Sequence, residues 1–144
     1  YKERLYSNLM IDFHTHIYPP NLPDFNKKFD TDIFITLETC CNETWMMHNG
    51  EKFRKIDQRC LNLEKRLEEM ETSGVSCQVL SCVPILFSYD APSEQICDVV
   101  TYINDFLIDC HLKYPKKFMS LGTLPLQNIK MSLLKSCSSF LSRV

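Results

Sequence analysis

Residues 10–17 of the chain read Met-Ile-Asp-Phe-His-Thr-His-Ile, and this stretch decides the fold. The β-prone residues 9–13 predict a strand, and three prolines within 19–23 end any regular element soon afterwards. Side chains two residues apart on a strand face the same way, so His14 and His16 can offer two imidazole nitrogens to one metal ion. Where strands and helices alternate, the carboxyl ends of the strands carry the active site. We therefore predict a metal site at His14 and His16.

The His-x-His pair also has a simpler explanation, because such pairs arise by chance and two histidines at a strand end can be polar surface. A catalytic zinc ion usually has three protein ligands and one open position. His48, beside a predicted turn, and His111, near a predicted helix end, are not placed to complete that set. Cys82 and Asp90 lie near another strand end, where a buried thiol and a loop carboxylate are the simpler interpretations. The chain is thus predicted to hold part of a metal site, with Asp12 as a hydrogen-bonding carboxylate.

The chain after residue 60 alternates predicted helices and strands. Leu63, Leu67 and Met70 have the spacing of one helix face, and Asn62 and Gly74 are residue types that begin and end a helix. Alternation of this kind predicts a parallel sheet with right-handed crossovers. The predicted elements are a helix over 63–73, a strand over 75–83, a helix over 93–113 capped by Ser93, a strand over 118–124 and a helix within 129–142.

Residues 24–60 interrupt this alternation. Residues 33–37 and 53–56 predict two strands, and the Asn-Gly dipeptide at 49–50 is a strong signal for the tight turn of a hairpin. We interpret the segment as an insertion built around a small antiparallel piece. Arg54 is the best candidate here for an anion contact, because a guanidinium binds a carboxylate through two parallel hydrogen bonds. A solvated surface charge is the alternative interpretation of Arg54.

Composition argues against several classes of protein. The 144 residues carry a net charge of −2, without the clustered basic residues of nucleic-acid binding, and no apolar run approaches the roughly 20 residues of a membrane span. We therefore expect neither a nucleic-acid nor a membrane partner. The eight cysteines are irregularly spaced, without a Cys-x-x-Cys pair, so we expect reduced thiols in the cytosol. Residues 1–9 lack the apolar core of a signal peptide and are interpreted as an amino-terminal extension.

Four segments carry a family resemblance. Residues 10–17 are similar to the first strand of the amidohydrolase superfamily, which ends in His-x-His. The segments 66–75, 79–89 and 114–125 narrow the resemblance to a branch of zinc-dependent decarboxylases that act on an acidic semialdehyde of tryptophan catabolism. The segment 79–89 contains a Val-Pro-x-x-Phe-Ser-Tyr motif, which is far more specific than His-x-His alone.

The resemblance implies an α/β fold in which residues 10–144 form about the first three βα units of a (β/α)₈ TIM barrel. It also implies a small insertion after strand 1, at about 24–60. A complete barrel of this kind takes about 250 residues. The implied cofactor is Zn²⁺, bound by His14 and His16, and the implied substrate contact is Arg54, which stands in the Gly-x-x-Phe-Arg context of that branch.

The implied reaction is the non-oxidative loss of carbon dioxide from the semialdehyde in the kynurenine pathway. The product cyclises towards picolinate, which diverts material from quinolinate. The family's third histidine ligand, aspartate ligand and catalytic histidine come from later strands that this sequence lacks, so its catalytic residues are unknown and we expect the chain alone to be inactive. The resemblance further implies a cytosolic homodimer at full length, whose sites borrow an arginine from the neighbouring subunit.

Two alternatives stay open. Another metal-dependent decarboxylase or a hydrolase of the superfamily would share the His-x-His pair, although the Val-Pro-x-x-Phe-Ser-Tyr motif argues against it. A non-catalytic fragment that associates with full-length subunits is the second alternative. Three strands of an open parallel sheet leave two exposed edges, so we expect such a piece to aggregate.

Overall fold

A computed structural model describes residues 9–134 of the chain. Most of the predicted extension over 1–9 lies outside the described residues, and so does the helix predicted within 129–142, apart from the helical residues 129–134. The elements, in chain order, are β1 (Ile11–Ile17), α1 (Phe25–Phe29), β2 (Thr36–Cys40), β3 (Glu43–His48), β4 (Glu51–Ile56), a 3-10 helix (Gln58–Cys60), α2 (Leu63–Ser73), β5 (Cys77–Cys82), a 3-10 helix (Pro84–Phe87), α3 (Ser93–Lys113) and β6 (Phe118–Ser120).

Three parallel strands form the first sheet, in the order β1-β5-β6. α2 precedes β5 and α3 precedes β6 along the chain, which confirms the predicted alternation of helices and strands. The stretch of β1 from Asp12 to Thr15 pairs with a stretch of β5 that is one residue shorter, Gln78 to Leu80. β1 therefore carries a β-bulge immediately beside His14, and it continues past the predicted strand end to include both histidines.

Three antiparallel strands form the second sheet, in the order β2-β3-β4. The predicted turn at Asn49 and Gly50 is confirmed, with φ values of 51° and 76° that suit the tightest hairpin turns. A second turn, at Cys41 and Asn42, has φ values of 54° and 66° and joins β2 to β3. The prediction of only two strands here was wrong, because residues 43–48 form the central strand.

The predicted helices over 63–73 and 93–113 are confirmed, and their apolar faces pack in the core. The Asn62 side chain accepts a hydrogen bond from the backbone N–H of Lys65, and Gly74 ends α2 with a φ of 74°. The predicted side-chain cap at Ser93 was wrong, because Ser93 is the first helical residue and Pro92 precedes it without a capping bond. The buried face of α3 packs with the inner faces of β1 and β5 through Ile96, Val99, Val100, Ile103, Leu107, Cys110, Ile17 and Leu80.

The described cysteines form no disulfide among themselves. All seven are free, and Cys82 is buried in the core while Cys77 is half-buried. Between residues 9 and 134, no helix combines the length and the hydrophobicity that a bilayer crossing requires.

The cap of α2 provides a test of this local structure. Asn62→Ala leaves the Lys65 N–H without its side-chain acceptor, so we expect the free energy of unfolding to fall by about 1 kcal/mol. Asn62→Ser keeps a capping oxygen and is the matched control, expected to lie near the wild type. Urea unfolding followed by circular dichroism measures both variants, and equal midpoints for the two would show that the cap does not stabilise the fold.

Candidate metal centre

The imidazoles of His14 and His16 converge beyond the bulge of β1. Their Nε2 atoms lie 3.1 Å apart, and the two rings stand perpendicular with centroids 5.0 Å apart. A β-bulge turns side chains from the strict alternation of a strand, and bulges are common beside active sites. The structure therefore brings together the two residues that the sequence predicts as metal ligands.

The proton on His16 is assigned by its neighbours. Its Nδ1 lies 3.2 Å from the carbonyl oxygen of Cys82 and 2.9 Å from Oγ of Ser81. The Ser81 hydroxyl donates its own proton to the carbonyl of Thr15, at 3.1 Å, so it accepts from His16. Because a carbonyl oxygen only accepts, Nδ1 of His16 carries the proton and Nε2 keeps its lone pair.

This lone pair is directed at His14. With Nε2 of His16 as acceptor, Nε2 of His14 is the donor of the 3.1 Å contact. Two nitrogens that bind one zinc ion at 2.0–2.1 Å in tetrahedral geometry stand about 3.4 Å apart. The observed separation fits that requirement once the proton of His14 moves to Nδ1. Hydrogen bonding of the second ring nitrogen to a carbonyl is also the arrangement that orients metal-binding histidines.

The histidine pair has no third metal-binding side chain beside it among the described residues. Within residues 9–134, no group of three or more histidine, cysteine, aspartate or glutamate side chains is placed to hold an ion. His111 is used elsewhere, since its Nδ1 lies 2.7 Å from the carbonyl of Phe118. His48 and Asp90 line a separate cavity of about 370 Å³, together with Tyr89.

Arg66, which is not among the predicted site residues, holds the backbone of this site. Its Nη2 donates to the carbonyl oxygens of His16, at 2.6 Å, and Arg59, at 2.8 Å. Its Nη1 donates to the side-chain oxygen of Gln78, at 3.2 Å. Gln78 in turn donates to the carboxylate of Asp12, which confirms the predicted hydrogen-bonding role of that residue.

Arg66 lies on the buried face of α2, although a charged helix residue is usually exposed to solvent. Arg66 is buried, with 6% of its surface exposed, and burial lowers the pKa of its guanidinium. The signal was present in the spacing, because position 66 is three residues after Leu63 and four before Met70 and so shares their helix face. The charge of Arg66, taken alone, predicts a solvent-exposed side chain. No comparable sequence signal marks Ser81, whose role depends on its register opposite His16.

Arg54 lies on β4 of the second sheet, apart from the histidine pair. Its side chain is exposed, and no hydrogen bond or ion pair joins it to a residue within 9–134. It pairs in register with Met46 of β3. Its guanidinium is therefore free to bind an anion, and its predicted role in substrate binding stays a prediction.

Comparison with known proteins relates the chain to decarboxylases. No protein-family model matches it. The 2-amino-3-carboxymuconate-6-semialdehyde decarboxylase of Dictyostelium discoideum is 36% identical over 127 residues, which are 88% of this chain and 35% of that protein. The protein of the same name from Caenorhabditis elegans is 35% identical over 124 residues, covering 85% and 31% of the two chains. The chain spans about a third of the length of these relatives, and they confirm the predicted resemblance.

Solved structures show the same relation at the level of the fold. IDCase of Metarhizium anisopliae superimposes with a TM-score of 0.69 at 17% identity, covering 88% of this chain and 38% of that one. A dihydroxybenzoic acid decarboxylase from Polaromonas, with bound manganese and the inhibitor 2-nitroresorcinol, superimposes with a TM-score of 0.59 at 19% identity, covering 90% and 35%. The α/β fold of the chain thus matches about a third of the fold of these solved structures.

Lysine substitutions at Arg66 and Arg54 test whether Arg66 stabilises the backbone around His16. A lysine ammonium at position 66 cannot reach the three acceptors that the guanidinium fork binds, so we expect Arg66→Lys to lower the free energy of unfolding by about 2–3 kcal/mol. Arg54→Lys is the matched control at an exposed position without partners, with an expected change within about 0.5 kcal/mol. Chemical denaturation measures both, and a neutral Arg66→Lys would contradict the proposed support of the His16 backbone.

Proposed function

Since this chain is homologous to part of the 2-amino-3-carboxymuconate-6-semialdehyde decarboxylases, we propose that it supplies the first segment of a metal-dependent enzyme that removes carbon dioxide from that semialdehyde without oxidation. The observation that carries the proposal is the 3.1 Å approach of the His14 and His16 Nε2 atoms at the end of β1. Two relatives that carry the name of this activity match 88% and 85% of the chain.

The proposed architecture is the beginning of a (β/α)₈ barrel with an insertion at about 24–60. The order β1-β5-β6, with α2 and α3 as crossovers, supports the barrel, and the separate β2-β3-β4 sheet supports the insertion. Barrel enzymes carry their active sites at the carboxyl ends of the strands. His16 is the last residue but one of β1, and Cys82, whose carbonyl it contacts, is the last residue of β5.

We propose zinc as the metal, held by Nε2 of His14 and Nε2 of His16. When bound, a zinc ion supplies a Lewis acid that stabilises developing negative charge and lowers the pKa of a bound water molecule. Imidazole ligands suit zinc, whereas ligand sets of carboxylates, carbonyls and water suit manganese. The manganese in the Polaromonas structure belongs to a protein of 19% identity, where the likeness extends to the fold alone.

The side chains of this chain would bind and orient the substrate. The free guanidinium of Arg54 would bind one substrate carboxylate through two parallel hydrogen bonds and so fix its orientation. Nδ1 of His16 keeps its proton and donates it to the Ser81 hydroxyl and the Cys82 carbonyl, so His16 positions a ligand nitrogen and does not exchange that proton with the substrate. Proton transfer to the product is therefore assigned to a group other than Nδ1 of His16.

We place the reaction in tryptophan catabolism, at the branch between picolinate and quinolinate, because the relatives' substrate belongs there. A cytosolic location is supported by the seven free cysteines, since reducing compartments preserve thiols. We further propose that the complete enzyme is a homodimer and that this chain alone does not turn over, because two ligands without an acid or base group do not make a catalytic site.

The metal proposal is tested by the affinity of the chain for Zn²⁺. We expect His14→Ala and His16→Ala each to weaken binding about 10²-fold or more, because either change reduces two-point binding to one-point binding. His48→Ala is the control, since His48 lies on β3 and lines a different cavity. Isothermal titration calorimetry provides the readout, and equal weakening by all three variants would overturn the assignment.

The catalytic proposal is tested by the consumption of the semialdehyde. The zinc-loaded chain alone is expected to show no turnover above the spontaneous cyclisation of the substrate, whereas the full-length Dictyostelium decarboxylase serves as the positive control under the same conditions. Absorbance of the semialdehyde over time measures both. Turnover by the isolated chain would contradict the conclusion that its active site is incomplete.

A further inference from the structure

Two adjacent thiols stand exposed at the turn between β2 and β3. The sulfur atoms of Cys40 and Cys41 lie 3.3 Å apart, and both residues are exposed. The other five described cysteines are buried or half-buried. The pair lies on the second sheet, whereas the candidate metal centre is on the first.

The fold keeps the two thiols together. Cys40 is the last residue of β2 and pairs in register with Glu43, the first residue of β3. Cys41 and Asn42 form the turn with φ values of 54° and 66°, a conformation that confines the backbone between the two strands. A turn held at both ends leaves the two side chains few ways to separate.

The same backbone disfavours a disulfide between these sulfurs. Adjacent Cα atoms across a trans peptide are about 3.8 Å apart, whereas disulfides usually join Cα atoms about 4.4–6.8 Å apart. An atom bound between the two sulfurs removes this conflict, because the sulfurs then need not bond to each other directly. Two thiolates that each bind one centre at about 2.3 Å can stand up to about 4.6 Å apart, and the observed 3.3 Å lies within that limit.

We propose that Cys40 and Cys41 form a bidentate site for a soft, thiophilic centre, with trivalent arsenic in an organic arsenical as its ligand class. In the binding step two S–H bonds and two As–OH bonds break, two As–S bonds form, and two water molecules leave, without a change of oxidation state. Thiolates select soft centres, whereas the imidazoles of His14 and His16 suit borderline ions such as zinc. The two sites therefore discriminate between ligands by softness.

The thiols elsewhere in the described residues are less accessible to such a ligand, because Cys60 and Cys77 are half-buried and the other three are buried. Burial also raises the pKa of Cys110 to about 11, so it remains protonated at neutral pH. The thiolate is the reactive form of cysteine. Selectivity for Cys40 and Cys41 thus follows both from the lower exposure of the other described cysteines and from the short distance between these two sulfurs.

The test is the binding of phenylarsine oxide to the reduced chain, followed by intact-protein mass spectrometry and calorimetry. We expect one equivalent to bind, to resist excess glutathione and to leave on addition of a dithiol such as 2,3-dimercaptopropanol. Cys40→Ser and Cys41→Ser should each weaken binding by about 10²–10⁴-fold, because the second sulfur then no longer acts intramolecularly. Cys60→Ser is the control thiol variant and should bind like the wild type.

Two results would overturn the proposal. The first is undiminished binding in the Cys40→Ser/Cys41→Ser double variant, which would place the arsenical elsewhere. The second is equal affinity in the wild type and both single variants, which would show one-point binding. Circular dichroism of each variant verifies folding, and His14→Ala should bind phenylarsine oxide unchanged, so this test stands apart from the zinc measurement.

Discussion

The buried guanidinium of Arg66 connects the parts of the chain on which the candidate site depends. It reaches from α2 to the carbonyl of His16 on β1 and to the side chain of Gln78 on β5. The Gln78 side chain donates a hydrogen bond to the carboxylate of Asp12. That carboxylate also accepts a hydrogen bond from the backbone N–H of His14, at 3.4 Å. The backbone on both sides of the bulge is therefore tied to one cation that is removed from water. A buried charge is costly unless hydrogen bonds satisfy it, so the acceptors around Arg66 belong to the structure as much as the charge does.

The sequence predicts most of the first sheet and its helices because those elements have clear periodicity and clear ends. Asn62 and Gly74 mark the ends of α2 by their chemistry, and the apolar spacing of α3 identifies its buried face. The second sheet is harder to predict. β3 contains the polar residues Glu43 and His48 and lies between two turns, and only the later turn has the Asn-Gly signature. Its strand character depends on partners at both edges, which a local pattern does not contain.

Some features of the candidate site are likewise predictable from the sequence, and others are not. The His-x-His spacing predicts that two imidazoles share a face, and the structure confirms their approach. The groups that orient them come from residues about 50 to 65 positions away, Arg66 and Ser81, and nothing in the local sequence connects those positions to β1. Register between parallel strands decides which serine faces His16, and register is a property of the assembled sheet. The identity of the two paired histidines is thus readable from sequence, whereas the orientation of their rings is not.

The tie between His16 and β5 has a consequence for the order of assembly. The groups that set the tautomer of His16 lie on β1 and β5, and Arg66 of α2 holds its backbone, so the segment from β1 to β5 contains the groups that orient His16. Neither β6 nor the second half of α3 contributes to that arrangement within the described chain. A growing polypeptide would therefore present an oriented His16 imidazole once β5 has paired with β1, before β6 is made. Orientation of His16 and completion of the first sheet are then separable events, with the first able to precede the second.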